Sequence, residues 1–311
     1  MTPRPVIIDT DPGIDDAMAI AVALASPELD VLALTTVHGN HEVDVTTANA
    51  LRILDLLERA DVPVVAGAGG PIGRPSTPPA TFVHGDDALG DVGYPPSTRS
   101  AVRDVDAATF IVDTVRARPG EVTLVPIGPL TNLALALEIE PRLAQLVDRV
   151  VVMGGAARVP GNITPTAEAN IWSDPEAAEV VFGAGWPITM IGLDVTHQVT
   201  ATTAWIDALT GAGTPAARIV VETAPVYLRF HRDTDGLEGI HCHDAAAVAW
   251  MLRPDLFTTE ALPVVVSTGD GTDGATVVDG APRGRPLVDV AVGVDADAVL
   301  ALLDERLRRA V

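Results

Sequence analysis

The chain has 311 residues, 48% of them hydrophobic, enough for a large buried core. Its formal charge of −22, from 42 acidic against 20 basic residues, argues against a nucleic-acid polymer or an anionic membrane as partner and suits a small neutral substrate or a divalent cation. One cysteine, Cys242, excludes an intrachain disulfide and sets a reducing cytoplasm as the expected location; no signal peptide and no stretch of about 20 uninterrupted apolar residues is visible.

In chain order, short β-branched runs alternate with longer helical patterns. Strands are predicted over residues 6–8, 31–37, 62–65, 122–125, 149–153 and 188–193. Helices are predicted over 14–25, 43–59, 107–118, 130–137 and 175–182. Several strands are continuously apolar, the pattern of strands covered on both faces by crossover helices. The expected fold is therefore α/β, a doubly wound, mostly parallel sheet flanked by helices, in a single domain over 1–311. Residues 200–252 read as mainly helical; 264–267, 276–278 and 287–292 read as a few C-terminal antiparallel strands, followed by a helix over 296–309. Two long loops, 67–100 and 154–169, carry polar residues and have the length of functional loops.

The most informative segment is Asp9-Thr10-Asp11-Pro12-Gly13-Ile14-Asp15-Asp16, four aspartates within eight residues at the end of the first strand. Helix capping accounts for one or two of them. Four carboxylates this close repel one another unless a cation lies among them, and oxygen donors suit calcium or magnesium over zinc. Ligands of an open α/β sheet bind beyond the carboxyl ends of its strands. The residues found there are His38-Gly39-Asn40 after the second strand, Pro126 to Asn132 after the fourth, Met153-Gly154-Gly155 after the fifth, then Asn162, Glu168 and Asn170. Amides and carboxylates of this kind suit a ligand with several hydroxyls, such as a sugar, although each taken singly is commonly a turn or cap residue. His241-Cys242-His243 is a poor zinc site by itself, because no second Cys/His cluster completes it in sequence; His243 beside Asp244 better suits a proton donor next to a metal ligand. His84 lies in a long loop, where a histidine is usually inert.

Together these motifs resemble the nucleoside hydrolase family, the inosine-uridine-preferring ribohydrolases, in six ordered matches along the chain. The segments are 9–16, Thr35 to Asn40, Pro129 to Asn132, Met153 to Gly155, Gly161 to Asn170 and His243 to Ala245. The resemblance implies an N-glycosidase that releases ribose and a free nucleobase, in nucleoside catabolism and salvage. It implies one Ca²⁺ held by Asp11, Asp16, Asp244 and the carbonyl of Ile127, with a water and the ribose hydroxyls completing the shell. It implies Asp11 as the base that deprotonates that water and Asp15, Asn40, Met153, Asn162, Glu168 and Asn170 as the ribose contacts. His243 would protonate the leaving base with His84 assisting, and the segment containing Tyr227 and His231 would lie near the base. A homodimer or homotetramer is also implied. Departures at Ala169, Ala245 and His231 touch the base pocket and leave base preference open. A magnesium phosphohydrolase would require a downstream lysine, and all 20 basic residues here are arginine. A non-catalytic nucleoside- or sugar-binding protein on the same fold predicts loss of the base or of a metal ligand, yet Asp11, Asp16 and Asp244 are all present.

Overall fold

The computed structural model describes residues 2–102, 104–269, 271–280 and 282–309. The first half alternates as expected: β1 (Arg4–Thr10), α1 (Ile14–Leu24), β2 (Leu29–Thr36), α2 (Val43–Leu56), β3 (Val64–Ala66), α3 (Thr81–His84), α4 (Ala107–Ala117), β4 (Thr123–Pro126), α5 (Thr131–Ile139) and β5 (Arg149–Met153). Then follow α6 (Ala169–Ser173), α7 (Pro175–Gly183), β6 (Ile188–Ile191), α8 (Leu193–Thr196), β7 (Thr200–Thr202), α9 (Thr203–Leu209) and α10 (Pro215–Asp235). The chain ends with β8 (Gly239–His241), α11 (His243–Leu252), β9 (Phe257–Pro263), β10 (Val265–Val266), β11 (Thr276–Val277), β12 (Leu287–Val294) and α12 (Ala296–Leu307).

Eight strands form one sheet in the order β3-β2-β1-β4-β5-β6-β12-β9. Every pairing is parallel except β12 with β9. The chain winds outward from β1 through β2 to β3, then returns to the other side of β1 with β4. That reversal opens a crevice above the carboxyl ends of β1 and β4, where ligands of such sheets bind.

Both faces of the sheet are covered. In β1, Val6 and Ile8 join one buried cluster and Ile7 joins the other, the period-two alternation of a strand sandwiched between helix layers. The first cluster gathers α1, α2, α10, α11 and α12; the second gathers α4, α5 and α7. Helix α1 is buried along most of its length and packs against α10 and α11, so the helix that starts at the aspartate turn is central.

Three expectations change in detail. The segment 287–292 belongs to β12 of the main sheet, parallel to β6, and its antiparallel partner is β9. Strand β9 escapes a hydrophobic pattern search because it is an edge strand whose Thr258, Thr259, Glu260 and Ala261 are exposed. The stretch 200–252 is interrupted by β7 and β8, three residues each, which pair antiparallel and bring His241 beside Thr200. The loop 67–100 contains α3, which buries His84.

Candidate active site

The aspartate turn is built around tight backbone approach. Gly13 caps α1, and its N–H donates to Asp16 Oδ2 at 2.9 Å. Thr10 Oγ1 donates to Asp16 Oδ1 at 2.5 Å. Asn40, on the loop after β2, donates from its backbone N–H to Asp11 Oδ2 at 2.7 Å and from Nδ2 to Asp16 Oδ2 at 3.2 Å. Gly39 and Gly128 flank Asp11 so closely that a Cβ would lie 2.0 Å from Oδ2 at Gly39 and 2.4 Å from Oδ1 at Gly128. Two strand-end loops therefore close on Asp11 only because both positions are glycine.

These contacts leave particular oxygens free. Asp11 Oδ1 and Asp15 Oδ1 are buried and have no hydrogen-bond partner among the described residues. One carboxylate oxygen from each of Asp15, Asp16 and Asp244 lies within 4.8 Å of the other two. Asp244 enters from the first turn of α11, in the second half of the chain. Burial, and then the negative charge of Asp16, raises Asp11 well above the ordinary carboxylate range. Burial raises Asp15 and Asp16 to about 6, and burial followed by Asp15, Asp16 and Asp11 raises Asp244. Orphaned hard oxygens among mutually repelling carboxylates fit a divalent cation, which would satisfy both defects at once.

The Ile127 carbonyl, just beyond β4, accepts from Asn170 Nδ2 at 2.9 Å, and the Met153 carbonyl accepts from the same amide at 3.3 Å. Asn170 thus bridges the ends of β4 and β5. Glu168 is buried at the N-cap of α6, where it accepts from the N–H groups of Asn170 and Ile171; its Oε2 also accepts from Gly155 at 3.0 Å. Burial raises its pKa. Asn162 is exposed, and its Oδ1 accepts from the Ala169 N–H at 3.0 Å, so it fastens the loop that carries Glu168 and Asn170.

The opposite wall is made of rings. His84 Nδ1 accepts from the Ile14 N–H at 3.2 Å, which leaves the proton of the neutral ring on Nε2. Burial lowers its pKa to about 4. Tyr227, on α10, donates from its hydroxyl to Asp15 Oδ2 at 3.3 Å, and its ring stands 5.5 Å from His84 and 4.5 Å from His231. His243 is buried at the start of α11 with Nδ1 2.8 Å from Thr196 Oγ1. Burial, then His241 and His197, pushes its pKa well below the usual histidine value. The fold thus brings every expected residue to one end of the sheet or to the loops around it.

Several residues support the turn and the loops around it without facing the crevice themselves. Asp9 lies behind the turn, bound by Thr35 Oγ1 at 2.5 Å and Asn132 Nδ2 at 2.8 Å; burial raises its pKa to about 7. Asp194, after β6, accepts from the backbone N–H groups of Ala157 and Arg158 at 2.8 Å each and pins the loop 154–169. Asp174 accepts from Thr131 Oγ1 at 2.7 Å and from the Ile72 N–H at 2.9 Å, tying the loop after β3 to α5. An acid directly after a strand was the available signal for Asp194; nothing local marks Asp174.

Known proteins are similar to this chain in sequence and fold. Residues 6–301 match the family model described as inosine-uridine preferring nucleoside hydrolase. The pyrimidine-specific ribonucleoside hydrolase RihA of Salmonella arizonae is 45% identical over 308 residues, 98% of each chain. A probable uridine nucleosidase of Arabidopsis thaliana is 40% identical over 314 residues, covering 98% of this chain and 97% of its own. Among solved structures, a plant nucleoside hydrolase aligns with a TM-score of 0.92 at 41% identity, covering 98% and 99% of the two chains. A purine-preferring ribonucleoside hydrolase from Gardnerella vaginalis aligns with a TM-score of 0.93 at 35% identity, covering 98% of each.

Proposed function

The chain belongs to the inosine-uridine preferring nucleoside hydrolase family and is an N-glycosidase of ribonucleosides, and from that premise we propose which ion and which residues carry the reaction. The observation that carries the reading is the grouping of Asp15, Asp16 and Asp244 next to the turn that carries Asp11, with one buried oxygen each of Asp11 and Asp15 left without a partner among the described residues. Asp11, Asp16, Asp244 and the Ile127 carbonyl would hold Ca²⁺, whose preference for several oxygen donors matches this set. Bound there, the ion supplies positive charge that acidifies water and anchors hydroxyl groups.

Asp11 is the general base. The Asn40 N–H holds its Oδ2, and Oδ1 has no hydrogen-bond partner among the described residues and is free to take a proton from the attacking water. Asp15, Asn40, Met153, Asn162, Glu168 and Asn170 make up the ribose side, some by contact and Asn162 by fixing the loop. As the glycosidic bond stretches, positive charge grows on the sugar, and the surrounding carboxylate oxygens stabilise it.

His243 gives its proton to the departing base. Nδ1 is engaged by Thr196, which leaves Nε2 for the substrate. His84 offers an Nε2–H donor, and Tyr227 and His231 line the base side. Pyrimidine ribonucleosides are the proposed substrates, supported by the pyrimidine-specific and uridine-directed relatives at 45% and 40% identity. A single domain over the whole chain is supported by the length of the family match, and the buried lone thiol of Cys242 suits a reducing compartment.

The test is release of reducing sugar from inosine, adenosine, guanosine, uridine and cytidine, before and after a chelator and again with Ca²⁺ restored. Calcium-restored release, with uridine and cytidine fastest, is expected. Full activity in the chelator sinks the ion assignment, and a purine-first ranking sinks the base preference.

A further inference from the structure

Five of the seven histidines, His84, His197, His231, His241 and His243, gather at the ring-lined end of the site. The reaction above uses His84 and His243 and places His231 against the base. It leaves His241 without a task, and it does not use Asp235 at the end of α10.

We propose that His231, Asp235 and His241 form a second metal site, separate from the oxygen-lined one, for a borderline cation of the Zn²⁺ class. One possible ligand atom from each lies within 4.8 Å of the other two. Two imidazoles and one carboxylate with open positions are a donor set zinc accepts, whereas calcium prefers oxygens alone. Tetrahedral bonds to zinc place ligand atoms about 3.4 Å apart, so small side-chain rotations close the site.

The hydrogen bonds prepare the ligands. His231 is buried, and its Nδ1 lies 3.0 Å from Asp235 Oδ2, so a cation between them takes the place of the proton they share. The ring packs 5.0 Å from that of His241 at 86°. His241 has Nδ1 3.1 Å from Thr200 Oγ1, a contact created by the pairing of β7 with β8, and the hydroxyl passes its own proton toward the His197 carbonyl. A neutral ring donating at Nδ1 keeps its lone pair at Nε2, and such a bond to the far nitrogen orients a metal-binding imidazole. Burial, then His231 and His197, lowers His241 to about 4, so the ring is neutral at pH 7 and needs no proton removed before binding. Asp235 is half exposed and opens the group to solvent. An ion here would clamp the C-terminal end of α10 to β8.

The site is independent of the calcium assignment, and the test keeps the two apart. The Ca²⁺-saturated protein is titrated with Co²⁺, whose visible spectrum reports nitrogen coordination, and then with Zn²⁺ to displace it. One cobalt per chain with a nitrogen-ligated spectrum is expected, displaced by zinc and accompanied by a rise in Tm. Asp235→Asn and His241→Asn, each checked for folding by circular dichroism, should weaken cobalt binding tenfold or more. Neither substitution touches the acidic group, so calcium binding should not change. Absence of the nitrogen-ligated spectrum, or a spectrum that both variants retain at full affinity, overturns the site.

Discussion

The acidic floor of the crevice and its ring-lined wall are held in different ways. On the floor, backbone closes on the carboxylates: Gly39 and Gly128 crowd Asp11, the N–H groups of Asn40 and Gly13 bind Asp11 and Asp16, and the Thr10 hydroxyl adds the one side-chain bond from within the turn. On the wall, side chain leans on side chain: Tyr227 stacks near His84 and His231, His243 leans on Thr196, and His241 leans on Thr200. Main-chain contacts are common to any sequence of the fold, while side-chain contacts change with each substitution. The floor therefore suits a part of the substrate that never varies, the ribose, and the wall suits the part that does, the base.

The sharpest way to break this contrast is Gly128→Ala. The added Cβ would lie 2.4 Å from Asp11 Oδ1 and 3.1 Å from Val37 Cγ1, so the Asp11 carboxylate must move out of place. Loss of the base and of one cation oxygen should lower kcat by about 10³-fold, in the range of a removed general base. Calcium affinity should fall with it; near-normal turnover in this variant would mean that the floor is softer than its geometry. His243→Ala probes the wall and should be selective. Hydrolysis of uridine should drop by about 10²-fold or more, whereas p-nitrophenyl riboside, whose leaving group needs no proton, should be nearly unaffected. Equal losses on both substrates would remove His243 from the acid role.

The smallest effect concerns pH. Asp15 and Asp16 at about 6 and Asp9 at about 7 all stand above the unfolded value of 3.8. The native state therefore holds more protons than the unfolded state between these limits. The stability this contributes is fully present below pH 4 and is lost as pH rises through 6 to 7. For Asp9 alone the displacement corresponds to about 4 kcal/mol. Melting of the metal-free protein followed from pH 4 to 7.5 should show this decline, and saturating Ca²⁺ should flatten it. A metal-free Tm that climbs steadily over that range would contradict the carboxylate crowding.

The floor was legible in the sequence because its residues are contiguous: Asp9 to Asp16 is one turn, and the motifs at Asn40, Ile127 and Asn170 each follow a recognisable strand. The alternation of apolar runs likewise gave the parallel sheet and the crevice above β1 and β4. Strand β9 was not legible, because an exposed edge carries no apolar stripe. Neither was the grouping of His231 with His241, which depends on β7 and β8, three residues each and too short for a periodic signal. His84 read as a loop residue because α3 is a single turn whose burial depends on tertiary contacts with Ile14 and Tyr227. Asp174 and Asp194 act through loops distant in sequence; Asp194 is marked only by its place after a strand, and no local pattern announces Asp174.

Helix α10 presents Tyr227, His231 and Asp235 about one turn apart along a single edge, each four positions after the last. That helix contributes no strand, and of the three only Tyr227 is hydrogen-bonded to the acidic floor, so the rest of its edge can be rewritten by point substitutions while the floor stays intact. For natural selection this is a dial separate from the engine: a lineage can drift from one nucleobase to another without passing through an inactive ancestor.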